Sequence, residues 1–244
     1  MTHISDDFRV MTSGAFTAAH FELVARIEAL TGKKVVTVTT SIGTGETSIP
    51  NRLKRREPVD IVIVADSAQR QFIDEGYVLA DSPVLIASSS IGIAVRAGAP
   101  KPDLSSAEAL RRLLLQANCI AYSASVSGKY LTTVIYQKLG IAEECLRKSR
   151  LIGGGERTAS VVARGEADIA VQQISELRPV PGIAHITPLP PELQKVSVFS
   201  AGVAAWSNDV ALARSVIRFL ASAEAVEAIE RSGLEPVNTD SASA

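Results

Sequence analysis

Five short stretches combine small hydroxyls, glycine or amide side chains where an apolar run gives way to a helical pattern. Met11-Thr-Ser-Gly-Ala-Phe16 is the first. A hydroxyl and a glycine there leave backbone N–H groups free to point at an anion, and the helix dipole favours negative charge at that end. Ser13 and Gly14 are the candidates; the plain alternative is that Ser13 only caps its helix. Thr39-Thr-Ser-Ile-Gly-Thr-Gly-Glu-Thr-Ser48 repeats the theme. It departs from the phosphate loop G-x-x-x-x-G-K-[ST], because Glu46 follows Gly45 and Thr40 stands at the first glycine position. Nucleotide binding is thereby rejected. Tyr122-Ser-Ala-Ser-Val-Ser-Gly-Lys-Tyr130 is the third stretch. Its Lys129 opposes the dipole of the helix it opens, so it either meets an anion or is simply solvated. Gly153-Gly-Gly-Glu-Arg-Thr158 places Arg157 where a guanidinium could fork onto a carboxylate. Gln172-Gln173 ends a short apolar run.

Other chemistries lack their residues. His3, His20 and His185 are scattered without metal-ligand spacing, and no G-x-S-x-G elbow is present. Arg52-Leu-Lys-Arg-Arg56 and Arg111-Arg112 read as solvated helix faces. Cys119 and Cys145 lie outside any C-x-x-C and read as small buried hydrophobes. With 25 basic and 26 acidic residues, the net charge of −1 gives no electrostatic reason to expect nucleic acid. Aromatics are only 5% of the chain, so base-stacking platforms are not expected either. No apolar run reaches the roughly 18–20 residues of a membrane span, and no membrane insertion is expected. The polar, acidic N-terminus shows no basic segment followed by an apolar one. As the sequence stands this predicts a cytoplasmic protein, or a periplasmic one if a leader was removed.

These stretches must be positioned by an α/β framework. Apolar, β-branched runs alternate with helical patterns: Phe8–Thr12, Lys34–Thr40, Val59–Ala65, Val84–Val95, Cys119–Ser123, Arg150–Ile152, Ala167–Val171, Ile183–Ile186 and Val196–Ala205. Val59-Asp-Ile-Val-Ile-Val-Ala65 is apolar nearly throughout, as a strand covered on both faces requires. Leu23, Ile27 and Leu30 form a helical stripe that stops at Gly32, and Ser105-Ser-Ala-Glu108 reads as a capping box. The 244 residues fit two compact lobes. The rhythm changes near Asp81-Ser-Pro83 and again between Pro188 and Ser200. The chain is therefore expected to leave lobe one, build lobe two and return: residues 1–83 with 199–244, and residues 84–198.

With these residues assembled, the chain resembles the type II periplasmic solute-binding proteins, and within them the molybdate-binding-protein family. The resemblance runs from about Phe8 to Val237. It is carried by Pro58-Val-Asp-Ile-Val-Ile-Val-Ala-Asp66, Arg164-Gly-Glu-Ala-Asp168, and an ending from Phe219-Leu-Ala-Ser-Ala-Glu-Ala to Gly233-Leu-Glu-Pro-Val237. It implies two lobes, each a mostly parallel sheet flanked by helices, with a small anion bound in the cleft between them by hydroxyls and main-chain N–H groups. Residue by residue, Ser13 matches the ligand serine of the first lobe. The second falls in the Ser41–Ser48 turn, with Thr47 the best spacing match and Thr44 next. Ser127, with Gly128 beside it, falls where the second lobe offers a backbone N–H. Gln173 replaces a tyrosine common in molybdate binders. That change, with Lys129 and Arg157 nearby, favours a carboxylate over a tetrahedral oxyanion.

The resemblance leaves two functions open. The first is a binding protein for a small anion, a di- or tricarboxylate or an oxyanion, using no cofactor and no metal. If exported, its partner would be an ABC transporter permease. The second is an isomerase or tautomerase that shifts a proton on an unsaturated tricarboxylate, as in the aconitate isomerase known on this scaffold. Lys129 and His20 are then the candidates for proton transfer. No acid–base pair stands out by spacing.

Overall fold

A computed structural model describes residues 7–43, 45–153 and 155–237. The chain opens with β1 (Phe8–Thr12), α1 (Gly14–Thr31) and β2 (Val35–Thr39). Gly32 ends α1 at φ +66°, the left-handed region that an L side chain resists, and its N–H bonds to the Glu28 carbonyl. Leu23 and Ile27 are buried as the stripe predicts, whereas Leu30 is exposed in the last turn. Next come α2 (Ile49–Lys54), β3 (Ile61–Ala65), α3 (Asp66–Asp74) and β4 (Val84–Ser89). All five residues of β3 are buried, in keeping with their unbroken apolar character.

The run Val84–Val95 is not one strand. It divides at Ser90 into β4 and β5 (Ile91–Arg96), which belong to different sheets. The chain then forms α4 (Ala107–Gln116), β6 (Ile120–Ser123), α5 (Val126–Tyr130), a π-helical turn over Leu131–Ile135, and α6 (Tyr136–Lys138). It continues with α7 (Ala142–Lys148), β7 (Ser149–Ile152), α8 (Thr158–Ala163), β8 (Ile169–Gln173), α9 (Ile174–Leu177) and β9 (Ile183–Pro188). The return supplies β10 (Ser197–Val203), α10 (Val210–Leu220), α11 (Val226–Arg231) and β11 (Glu235–Pro236).

Two local expectations shift by a residue or two. Ser106, not Ser105, caps α4, its Oγ accepting the Ala109 N–H at 3.2 Å. Ser105 instead donates its own N–H to Asp103. The strand expected at Ala167–Val171 begins and ends later, because Gln172 and Gln173 pair with Gly92 and Ile91 of β5. The two glutamines are the last residues of the strand rather than the turn after it.

The chain forms two compact units, one of residues up to Ser88 with those from Ser197 onward, the other Ser89–Val196. The first crossing lies later than residue 83 because Ala87 and Ser88 pair with Pro236 and Glu235 of β11 in the first sheet. The second lies at 196/197, where β10 begins.

In unit one the sheet runs β11-β4-β10-β3-β1-β2. β1 pairs parallel with β2 and β3, while β10 is antiparallel to β3. Met11, Ile49, Leu53, Val62, Val64 and Phe72 contribute to a core against it. In unit two the sheet runs β7-β6-β8-β5-β9. β6 pairs parallel with β7 and β8, and β5 is antiparallel to β8 and β9. Each sheet is thus mixed: the βαβ part is parallel, and strands entering at a crossing run against it. Cys145 is buried in the main core of unit two, whereas Cys119 is only half-buried; both are free thiols. None of the described helices is long and apolar enough to cross a membrane.

Candidate functional site

In unit one, Ser13 follows β1 directly and occupies the N-cap position of α1 in extended conformation. It does not cap with its side chain: the buried Oγ has no hydrogen-bond partner. The Ser13 N–H is taken by the Ile63 carbonyl at 2.9 Å. The hydroxyl is therefore the group left over at this turn. Gly14 is exposed as the first residue of α1.

The second turn of unit one repeats this pattern at a residue that the spacing did not single out. Ser48 holds the N-cap position of α2, is 1% exposed, and its Oγ is also without a partner. Thr47, the residue expected, is exposed, and its carbonyl accepts from Thr40 Oγ1 and Arg52 Nε, both at 2.9 Å. Thr44 lies outside the described residues. The loop is pinned by its own helix: Asn51 Nδ2 donates to the Gly45 carbonyl, and Arg55 to that of Glu46. Arg52 and Arg55 also pair with Glu57, so part of the basic cluster organises this turn instead of merely being solvated. A buried hydroxyl costs free energy unless it is paired, so two such groups at successive strand–helix turns mark donors held for something else.

His20 lies within the packing of unit one. Its Nε2 is 2.7 Å from Thr37 Oγ1, a residue of β2 that pairs with Val10 within the sheet. Burial pulls its pKa down to about 4, so the ring is neutral at pH 7. Its Nδ1 has no partner. Helical spacing placed His20 on the buried face of α1 rather than at the turn with Ser13.

Unit two joins three of its strand–helix turns through one side chain. Gln172 Oε1 accepts a short hydrogen bond from Thr158 Oγ1, at the start of α8. Gln172 Nε2 donates to Ser123 Oγ, at the end of β6, at 3.2 Å. Ser123 donates to Ser125 Oγ at 3.0 Å, and Ser125 and Ser127 Oγ lie 2.9 Å apart. The remaining partner of the Gln172 amide is the Glu176 carboxylate, in the first turn of α9. Glu176 is half-buried. Burial raises its pKa to about 7, with the Arg157 charge and the Gln172 hydrogen bond opposing that rise.

The expected residues of unit two fall around this network. Arg157 is exposed at the N-cap position of α8 and acts on Glu176 through its charge. Ser127 is buried. Gly128 is there for packing: a Cβ would stand 1.9 Å from the Ser123 carbonyl oxygen. Gln173 is buried opposite Ile91 of β5. Lys129 is exposed one residue beyond Gly128. Glu176 was missed because its distinction is burial. Its one sequence signal was a carboxyl placed just after the strand that ends in Gln172-Gln173. Among the described residues, no group of His, Cys, Asp and Glu side chains could hold a metal ion.

Comparison with known proteins fits this arrangement. The family model for bacterial extracellular solute-binding proteins matches residues 8–235. The chain belongs to that family. Across 229 residues it is 39% identical to an aconitate isomerase from a Pseudomonas species, covering 93% of this chain and 87% of that protein. Among solved structures, the periplasmic molybdate-binding protein of Azotobacter vinelandii superposes with a TM-score of 0.75 at 16% identity, over 93% of this chain and 98% of that one. The sulfate-binding protein of Mycobacterium tuberculosis does so with a TM-score of 0.70 at 16% identity, over 96% and 88%. At such identities the structures establish the shared two-lobed fold and no ligand.

Proposed function

We propose that this member of the solute-binding family is an isomerase of a small unsaturated tricarboxylate of the aconitate type. The observation that carries the reading is the 39% identity to an aconitate isomerase over nearly the full length of both chains. The geometry suits it. Such a substrate carries charges on separate arms, so at least one arm calls for a cation, and Arg157 can offer two parallel hydrogen bonds to a carboxylate. The reaction moves one proton from the methylene carbon to the far carbon of the allylic system while the double bond moves the other way. It consumes no oxidant, reductant or co-substrate, and it calls for a group that accepts and returns a proton near neutral pH.

The family itself supports a second reading, a receptor that binds the anion and delivers it to an ABC transporter permease. One experiment separates them. Purified protein is incubated with cis-aconitate in D2O and followed by proton NMR. The isomerase gives trans-aconitate and deuterium at the allylic carbon. Calorimetric binding of the tricarboxylate with no product and no exchange would leave the receptor, and tight molybdate binding with no tricarboxylate binding would remove both carboxylate readings.

A further inference from the structure

We propose that Glu176 is the catalytic proton carrier of this reaction, taking the proton from one end of the allylic system and returning it at the other. The inference rests on the proposed isomerase function and assigns its central chemical role. Four observations place Glu176 there. It stands in the first turn after β8, in the same corner of unit two as the Thr158, Ser123 and Ser127 turns. Gln172 fixes it: with Oε1 engaged by Thr158 and one amide hydrogen by Ser123, the amide aims its other hydrogen at the Glu176 carboxylate. Arg157, which suits a substrate carboxylate, is the one charged side chain that acts on Glu176 among the described residues. Finally, its half-buried carboxyl has a pKa near 7, so it exchanges a proton at neutral pH without a large penalty in either direction.

The step balances on one carboxyl group. The Glu176 carboxylate takes a proton from the methylene carbon, and that C–H bond breaks. Its electron pair becomes the new C=C bond, while the old π pair moves to the far carbon. That carbon takes the proton back from the neutral Glu176 acid. The methylene arm is turned about its single bond before its C–H bond breaks, and that conformation sets the geometry of the new double bond, so the same shift interconverts the cis and trans forms. Arg157 stabilises charge that spreads onto a carboxylate arm and holds Glu176 toward its ionised form. The same network explains why one carboxyl suffices: Gln172 neither donates nor removes the reacting proton and keeps the carboxylate in place in both protonation states.

The test compares the wild-type protein with Glu176→Gln, Glu176→Asp and Arg157→Ala in the NMR assay, with tricarboxylate affinity measured in parallel by calorimetry. Glu176→Gln should lower kcat by about 10^2–10^4-fold, the usual worth of general acid–base catalysis, while Kd changes only a few-fold. Glu176→Asp, which keeps the carboxyl but shortens its reach, should retain measurable turnover and confirms that the site folds. In wild type, kcat should rise with pH through about 7 as the carboxyl ionises. In Arg157→Ala at saturating substrate that limb should move to higher pH, because a positive charge that favours ionisation is gone. Turnover and exchange in Glu176→Gln at the wild-type rate, or a pH limb unmoved in Arg157→Ala, would overturn the assignment and leave the isomerase standing. A wild-type protein that binds the tricarboxylate but neither isomerises it nor exchanges deuterium would overturn the function, and the assignment with it.

Discussion

Ser13 and Ser48 are the same device used twice. Each is a serine at an N-cap position that ordinarily spends its hydroxyl on the helix, and neither does so. Each keeps a buried hydroxyl unpaired, a cost of about 1–3 kcal/mol for such a group. This predicts opposite effects on stability and on binding. Ser13→Ala and Ser48→Ala should leave the ligand-free protein as stable as wild type or slightly more so, read as an unchanged or higher Tm. Each should weaken binding of the anionic ligand by roughly 10- to 150-fold, the worth of a hydrogen bond to a charged group. Calorimetry alongside thermal melts checks both halves, and a lower Tm with unchanged affinity would make the hydroxyls structural. A function that needs donors held ready leaves this mark on stability.

The helix after β6 shows how an element can depend on one missing side chain. The buried turn places Gly128 so close to the end of β6 that a Cβ would stand 1.9 Å from the Ser123 carbonyl oxygen. Backbone, not a flexible side chain, is in the way, so the strand end or the helix must shift. Gly128→Ala should therefore destabilise by about 1–3 kcal/mol, as overpacking does, and displace Ser123 from Gln172. A urea melt measures the first effect and loss of tricarboxylate affinity the second.

Much of the framework was legible at this scale. The unbroken apolar run of β3 could only be a doubly covered strand, and Gly32 ends α1 at positive φ as read. Ser48 and Glu176 were not legible, for physical reasons. The N-cap of α2 is fixed by the bonds that Gly45, Glu46 and Thr47 make with residues of α2 and the turn after it. These bonds pass over the better-spaced Thr47. The character of Glu176 comes from side chains on α8 and β8 that pack beside it, which a local pattern does not contain.

For the whole molecule, two buried titrations act in opposite directions on stability. The pKa of Glu176 is raised in the fold, so its contribution is fully present below the unfolded-state value near 4.5 and is lost as pH rises through about 7. The pKa of His20 is lowered, so its contribution is present above the unfolded-state value near 6.5 and is lost as pH falls toward about 4. The two windows overlap and the shifts are of similar size, so between about pH 4.5 and 6.5 the slopes oppose one another and the Tm of the ligand-free protein should change little. Glu176→Gln should uncover the His20 limb, a Tm that rises from about pH 4 to 6.5, and His20→Asn the Glu176 limb, a Tm that falls from about pH 4.5 to 7, as melts across pH 4–9 would show. Swapped or absent effects would mean that burial does not govern these groups.

The double crossing of the chain also sets an order of assembly. Unit two is one continuous segment, and every strand of its sheet is at hand once Pro188 has been made. Unit one waits, because β10, which lies between β4 and β3, is encoded after all of unit two. Until it arrives, Ile61-Val-Ile-Val-Ala65 presents an open, wholly apolar strand edge, the kind of surface that pairs with the wrong neighbour. On the ribosome, the half that carries Ser13 and Ser48 is thus the late-maturing half, and this strand is where an unfinished chain is most exposed to aggregation.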